Sequence, residues 1–250
     1  TPLISKRGGV AGDFTVTKLD DGDFRIFGSG MAERFHQRYF KSVPLPANTI
    51  FTSLTEQMCG FNVAGPKSRE LLSRLTNEDL SNATFPFMSS RRMTVASVEV
   101  VAMRVSFTGD LGWELYCDSD KQVELYEALL EAGGEIGAGP VGLRALGSLR
   151  IEKGYGSWSR EYSPEYWPQE CGLDRLIKLD KQKFLNRDAY VAIASEIPRQ
   201  KLAMLAIKAV DADATGGEPI FLPNGTPIGQ VTSGAFGYSV GLSLAHGYIN

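Results

Sequence analysis

Apolar positions alternate along residues 14–19 and 24–27, and Asp20-Asp21-Gly22-Asp23 between them is turn chemistry, so the pair predicts a β-hairpin. Met31, Phe35 and Tyr39 then recur at helical spacing over residues 31–40, stopped by Pro44 and Pro46, which offer no backbone donor. Residues 49–52 and 58–63 read as strands. Gly65-Pro66 opens a helix with Leu71, Leu72 and Leu75 on one face. Residues 86–97 carry no clear period, whereas 98–107 and 113–117 read as strands around the tight connection Thr108-Gly109-Asp110-Leu111-Gly112. An amphipathic helix follows over 123–132, ended by Gly133-Gly134, and another over 140–153 with Gly154 as its cap. From residue 202 onward short strands predominate, at 202–210, 219–222, 228–233 and 243–249, with Pro223-Asn224-Gly225 as a hairpin signal.

This order of elements predicts an α+β protein: two α/β lobes at 1–72 and 73–165, then a linker and a β-barrel-like lobe at 166–250. The 250 residues suffice to bury roughly 70–75% of the unfolded surface, so no staple is required. A formal net charge of −3 gives no reason to expect nucleic acid or an anionic membrane as partner. Cys59, Cys117 and Cys171 are odd in number and far apart, which argues against a disulfide framework and reads as small buried hydrophobes in a reducing compartment. With only His36 and His246 and no CxxC spacing, no metal site is expected. The start at Thr1-Pro2 and the end in mid-strand at Asn250 suggest a piece of a longer protein.

Few residues stand out as chemistry. Asp13, at the mouth of a strand after Arg7-Gly8-Gly9, could serve as a general base, although the residues alone favour a solvated strand-end carboxylate. Glu114 lies between Trp113 and Leu115. If those two face one side, Glu114 faces the other, either into a cavity, where its two oxygens match adjacent N–H donors, or into solvent. Tyr155, Trp158, Tyr162, Tyr166 and Trp167 crowd one segment, as at a planar-ligand site or at a seam between lobes. Gly28-Ser29-Gly30 lacks the third glycine of a dinucleotide fingerprint.

Several segments, in order, resemble the aminomethyltransferase family, the glycine cleavage T-protein and its relatives. Arg7-Gly8-Gly9-Val10-Ala11-Gly12-Asp13-Phe14-Thr15-Val16 is similar to that family's RGG segment, and Val63-Ala64-Gly65-Pro66 to its GP helix start. Phe107-Thr108-Gly109-Asp110-Leu111-Gly112-Trp113-Glu114-Leu115 looks like its YTGE-x-G motif, Ser148-Leu149-Arg150-Ile151-Glu152 like its SLR helix, and Val231-Thr232-Ser233-Gly234 like its VTSG hairpin. Arg150-Ile151-Glu152-Lys153-Gly154-Tyr155, Ser157-Trp158 and Lys178-Leu179-Asp180-Lys181 point to the branch of dimethylglycine and sarcosine dehydrogenases.

The resemblance implies lobes arranged around a central folate cavity. It makes Asp13 the catalytic carboxylate and Glu114 the anchor of the pterin ring, with Phe107, Trp113, Tyr155 and Trp158 as further folate contacts. It implies tetrahydrofolate as acceptor, an N-methyl amine as donor, and FAD only on a fused or associated flavin oxidoreductase region upstream. The product it implies is methylenetetrahydrofolate, and the cysteine usage is compatible with bacterial cytoplasm and with mitochondrial matrix. Two departures stand out: Phe107 replaces the family's usual Tyr, and Leu146 falls where stand-alone T-proteins carry a folate-binding Arg, with Arg144 two positions away. Phe107 motivates an alternative, a non-catalytic folate-binding or regulatory module of the same fold. A folate-dependent demethylase acting on a sulfonium compound is a third reading.

Overall fold

The computed structural model describes residues 1–250, whose contacts gather into two units. The first unit comprises Thr1–Val16, Ile26–Pro44 and Gly147–Asn250, and the second Thr17–Arg25 and Leu45–Leu146. The architecture is mixed: antiparallel sheets and short helices in the order of an α+β protein.

The first unit opens with β1 (Pro2–Ile4) and β2 (Val10–Asp13), an antiparallel pair whose register shifts between Leu3 and Ile4. Neither strand shows in the sequence, because three or four residues are too short to display a period. The anticipated hairpin is present as β3 (Thr15–Asp20) and β4 (Asp23–Phe27), and its turn needs Gly22 at φ +86°. A 3₁₀ turn leads into α1 (Glu33–Lys41). The buried residues here are Ala32 in the 3₁₀ turn and His36 in α1, one position on from the Met31–Phe35–Tyr39 spacing, and Met31 is 86% exposed. Tyr39 still anchors the helix: its hydroxyl donates to the Ile4 carbonyl at 2.7 Å and accepts from Asn186 Nδ2 at 2.7 Å.

In the second unit residues 49–52 form no strand. β5 (Met58–Ala64) leads to α2 (Ser68–Ser73), then β6 (Ser90–Val95), β7 (Val98–Met103), β8 (Gly112–Asp118) and α3 (Gln122–Gly134). The sheet is wholly antiparallel in the order β5-β8-β7-β6. One face packs on the helices: Val95, Val100, Ala102, Trp113, Leu115 and Cys117 join Leu71, Leu72, Leu125 and Leu129 in one core. The expected strand over 98–107 ends at Met103; the Arg104 backbone still pairs with Met88 and Ser89, and its buried guanidinium donates to the Phe85 carbonyl at 2.6 Å and to Asn82 Oδ1 at 2.7 Å.

The chain then forms α4 (Leu143–Glu152), which starts three residues after Pro140, and α5 (Arg187–Ala194), which the sequence pattern did not announce because its eight residues bury only Tyr190. The C-terminal strands β9 (Lys201–Ile207), β10 (Pro219–Phe221), β11 (Pro227–Gly237) and β12 (Leu242–Ile249) form an antiparallel sheet ordered β10-β11-β12-β9.

Candidate functional site

In the first unit the site builds up from the end of β2. Gly12 lets the strand run close over aromatic rings: a Cβ there would lie 2.4 Å from Phe14 Cε2 and 3.2 Å from His36 Nε2. Asp13 follows, its side chain 35% exposed. Burial pushes its carboxyl above the usual carboxylate range, against the pull of the Thr1 ammonium 3.9 Å away and of the Phe14 amide. A carboxylate raised this way is a better proton acceptor than one in water.

Beside it α1 contributes His36, whose ring packs against Phe14 at 4.7 Å and edge-on against Trp158 at 4.9 Å between centroids. Burial holds this imidazole below its ordinary pKa, opposed by a hydrogen bond to the Ala11 backbone, and its Nε2 has no partner. Tyr162 is buried under Gly156, which has no room for a side chain: a Cβ would lie 2.5 Å from the tyrosine Cζ. Burial, then the Asp13 charge, push its phenol up to about 12, so it stays a neutral donor. Of the sequence candidates, Trp158 lines this region and Tyr155 is 38% exposed, with its carbonyl accepting from Arg150 Nη1 at 2.9 Å.

The other crowded aromatics divide their roles. Tyr166 stacks on Tyr248 at 4.0 Å, and Trp167 lies under Arg199 at 4.5 Å. Behind them sits a buried ionic cluster that the sequence reading missed. Glu161 is fully buried and Arg150 is 5% exposed, with Nη1 to Oε2 at 2.9 Å. Glu161 also accepts from the Ser157 amide at 2.8 Å, from Thr232 Oγ1 at 2.7 Å and from Ser233 Oγ. Burial alone would raise this carboxyl, but Arg150 and the three donors outweigh it and hold it low. The SLR and VTSG motifs therefore meet in one structural network. Their spacing, 82 to 83 residues apart, left no trace of the contact in sequence.

In the second unit β8 alternates as its residues predicted. Trp113 and Leu115 are fully buried in the core, and Glu114 and Tyr116 face the other way. Register aligns Glu114 with Asn62 of β5 and Met103 of β7. Tyr116 lies against Gly60, where a Cβ would meet its ring at 2.6 Å, and donates its hydroxyl to Glu114 Oε2 at 2.8 Å. Burial pushes the Glu114 carboxyl up and Tyr116 pulls it back. One carboxylate oxygen is thus held by Tyr116. Trp113, as a core residue, supports this strand from behind. Phe107 is half-buried in the preceding turn, which Ser106, Thr108 and Gly109 (φ +75°) close by hydrogen bonds between Ser106 and Thr108 Oγ atoms at 2.7 Å.

No group of three or more His, Cys, Asp or Glu side chains is placed to hold a metal ion, and no helix is long and apolar enough to cross a membrane.

Residues 1–181 match the GCVT N-terminal domain, and residues 200–250 match the glycine cleavage T-protein C-terminal barrel domain. The chain belongs to the glycine cleavage T-protein family. Within this family it is 32% identical to human mitochondrial dimethylglycine dehydrogenase over 99% of its own length and 29% of that protein's. It is 34% identical to the aminomethyltransferase of Halothermothrix orenii over 100% of its length and 68% of the relative's. The crystal structure of the glycine cleavage aminomethyltransferase T from Bartonella henselae shares the fold, with a TM-score of 0.78 at 23% identity, covering 99% of this chain and 66% of that one. The chain is therefore an aminomethyltransferase-type domain of a folate-dependent family, related to enzymes, and it spans less than a third of the dehydrogenase relative.

Proposed function

We propose that this T-protein-family domain binds tetrahydrofolate and carries out one-carbon transfer to it, capturing an amine-derived methylene group to form methylenetetrahydrofolate. What supports this reading is that Asp13 in the first unit and Glu114 in the second are half-buried carboxylates, each pushed up by burial and each lying in a segment that resembles a motif of the family. Tetrahydrofolate supplies the nitrogen nucleophile that takes up the carbon. Glu114, steadied by Tyr116, presents its remaining oxygen to the N–H groups of the amino-pyrimidinone edge. Asp13 accepts the proton that the nitrogen sheds, and its raised pKa suits that role. Trp158 and Tyr155 in the first unit and Phe107 in the second are the aromatic residues that the resemblance implies as further folate contacts. The donor is an N-methyl amine oxidised by an FAD-bearing region of the kind that dimethylglycine dehydrogenase relatives carry, in bacterial cytoplasm or mitochondrial matrix.

The test is calorimetric titration with tetrahydrofolate, alongside the rate of methylenetetrahydrofolate formation from formaldehyde above the spontaneous rate. Glu114→Gln should weaken binding by about 10–100-fold, the loss of about 1.5–3 kcal/mol for a hydrogen bond to a charged group. Asp13→Asn should bind normally and lose about 10²–10⁴ of the rate. Tight folate binding with no transfer above background in the unaltered chain would favour the non-catalytic module that Phe107 motivates.

A further inference from the structure

The sheet of the second unit holds a feature that folate chemistry does not use. Antiparallel register sets Cys59 of β5 directly opposite Cys117 of β8. Both are free thiols, and their Sγ atoms lie 3.3 Å apart. Directly opposed residues on antiparallel strands have Cα atoms about 4.5 or 5.5 Å apart, and both values fall inside the range that disulfides span. Side-chain rotation with little backbone movement can therefore bring the sulfurs to bonding distance.

We propose that Cys59 and Cys117 are a dithiol–disulfide couple, a modification site oxidised by a low-molecular-weight disulfide. The two thiols differ in access. Cys59 is half-buried on the edge strand of the sheet, whereas Cys117 is 1% exposed and burial, with the neighbouring Cys59 thiol, pushes it up to about 12. Cys59 is thus the entry nucleophile. Its thiolate attacks one sulfur of the external disulfide, forming a mixed disulfide and expelling the first thiolate. The Cys117 sulfur then attacks Cys59 Sγ, closing the cross-strand bond. The second thiolate departs and takes up the Cys117 proton. Two protein thiols are oxidised and one external disulfide is reduced to two thiols. The product fastens edge strand β5 to β8, the strand that presents Glu114 and Tyr116 on its other face.

The experiment is equilibration of the full chain with glutathione buffers of graded redox potential, followed by acid quenching, intact mass and peptide mapping. The expected product is a monomer about 2 Da lighter, with a Cys59–Cys117 crosslinked peptide, Cys171 free and a raised Tm. In Cys117→Ala the reaction should stop at a glutathione adduct on Cys59. In Cys59→Ala, Cys117 should stay unmodified, and Cys171→Ala should behave as the parent chain. A parent chain that remains fully reduced, accumulates only the Cys59 adduct, or links into dimers through Cys59 would overturn the proposal. These outcomes are read on the parent chain, so they stand even if a variant folds poorly.

Discussion

Asp13 shows how one residue's chemistry is set by its neighbours. In solution its carboxyl would be an ordinary acid; at the end of β2, near Tyr162, burial makes it hold a proton more readily. Gly12 makes that arrangement possible, since any side chain there would enter the space of Phe14 and His36. Gly12→Ala should therefore destabilise the chain by about 1–3 kcal/mol through overpacking, read as a lower urea midpoint; an unchanged midpoint would show that Phe14 relaxes freely. The face of Glu114 was legible in sequence, because strand alternation around Trp113 and Leu115 dictates it, whereas Asp13 stood out only through the family resemblance. His36 was not legible. Its buried, unpartnered Nε2 depends on where α1 rests, and the helical spacing pointed to the neighbouring face.

Among elements, the Arg150–Glu161 pair ties α4, the segment after it and β11 together. Removing one partner of a buried pair leaves an uncompensated charge, at a cost of about 3–5 kcal/mol, whereas replacing both with apolar groups is often near neutral. Glu161→Leu should thus unfold at markedly lower urea than the Arg150→Met/Glu161→Leu double variant. Equal midpoints for the two would mean the ion pair is not the organising contact. Regular elements of useful length were readable: the first hairpin, β5, β8, α3 and the C-terminal strands all fall near their expected positions. β1, β2 and α5 were not: each is short, β1 and α5 bury a single residue each, and β2 buries three in a row, so none shows a period.

For the molecule as a whole, acid stability gathers several of these groups. Burial lowers the pKa of His36 and His246, so the unfolded chain binds more protons and stability falls as pH drops below about 6.5. Glu161, and the buried Glu170 whose Oε2 accepts from Arg199 Nη2 at 2.7 Å, are held low, so a further loss begins as pH falls through about 4.5. Asp13 and Glu114 are raised, so their stabilising contribution is present at low pH and is lost as pH rises through their folded values. They oppose the histidines. Urea midpoints of Asp13→Asn/Glu114→Gln, which lacks the opposing carboxyls, should therefore fall as pH drops below about 6.5. A midpoint independent of pH in that variant would contradict the assignment of neutral buried histidines.

By itself the sequence determined the α+β class, most long elements, the family, and the faces of residues such as Glu114, since periodicity and turn chemistry act over a few neighbours. Tertiary structure alone decided what meets across long separations. Glu161 joins Thr232 and Ser233, and Cys59, read as an inert small hydrophobe, stands opposite Cys117. Such contacts depend on register and packing between distant segments, and no local pattern encodes them.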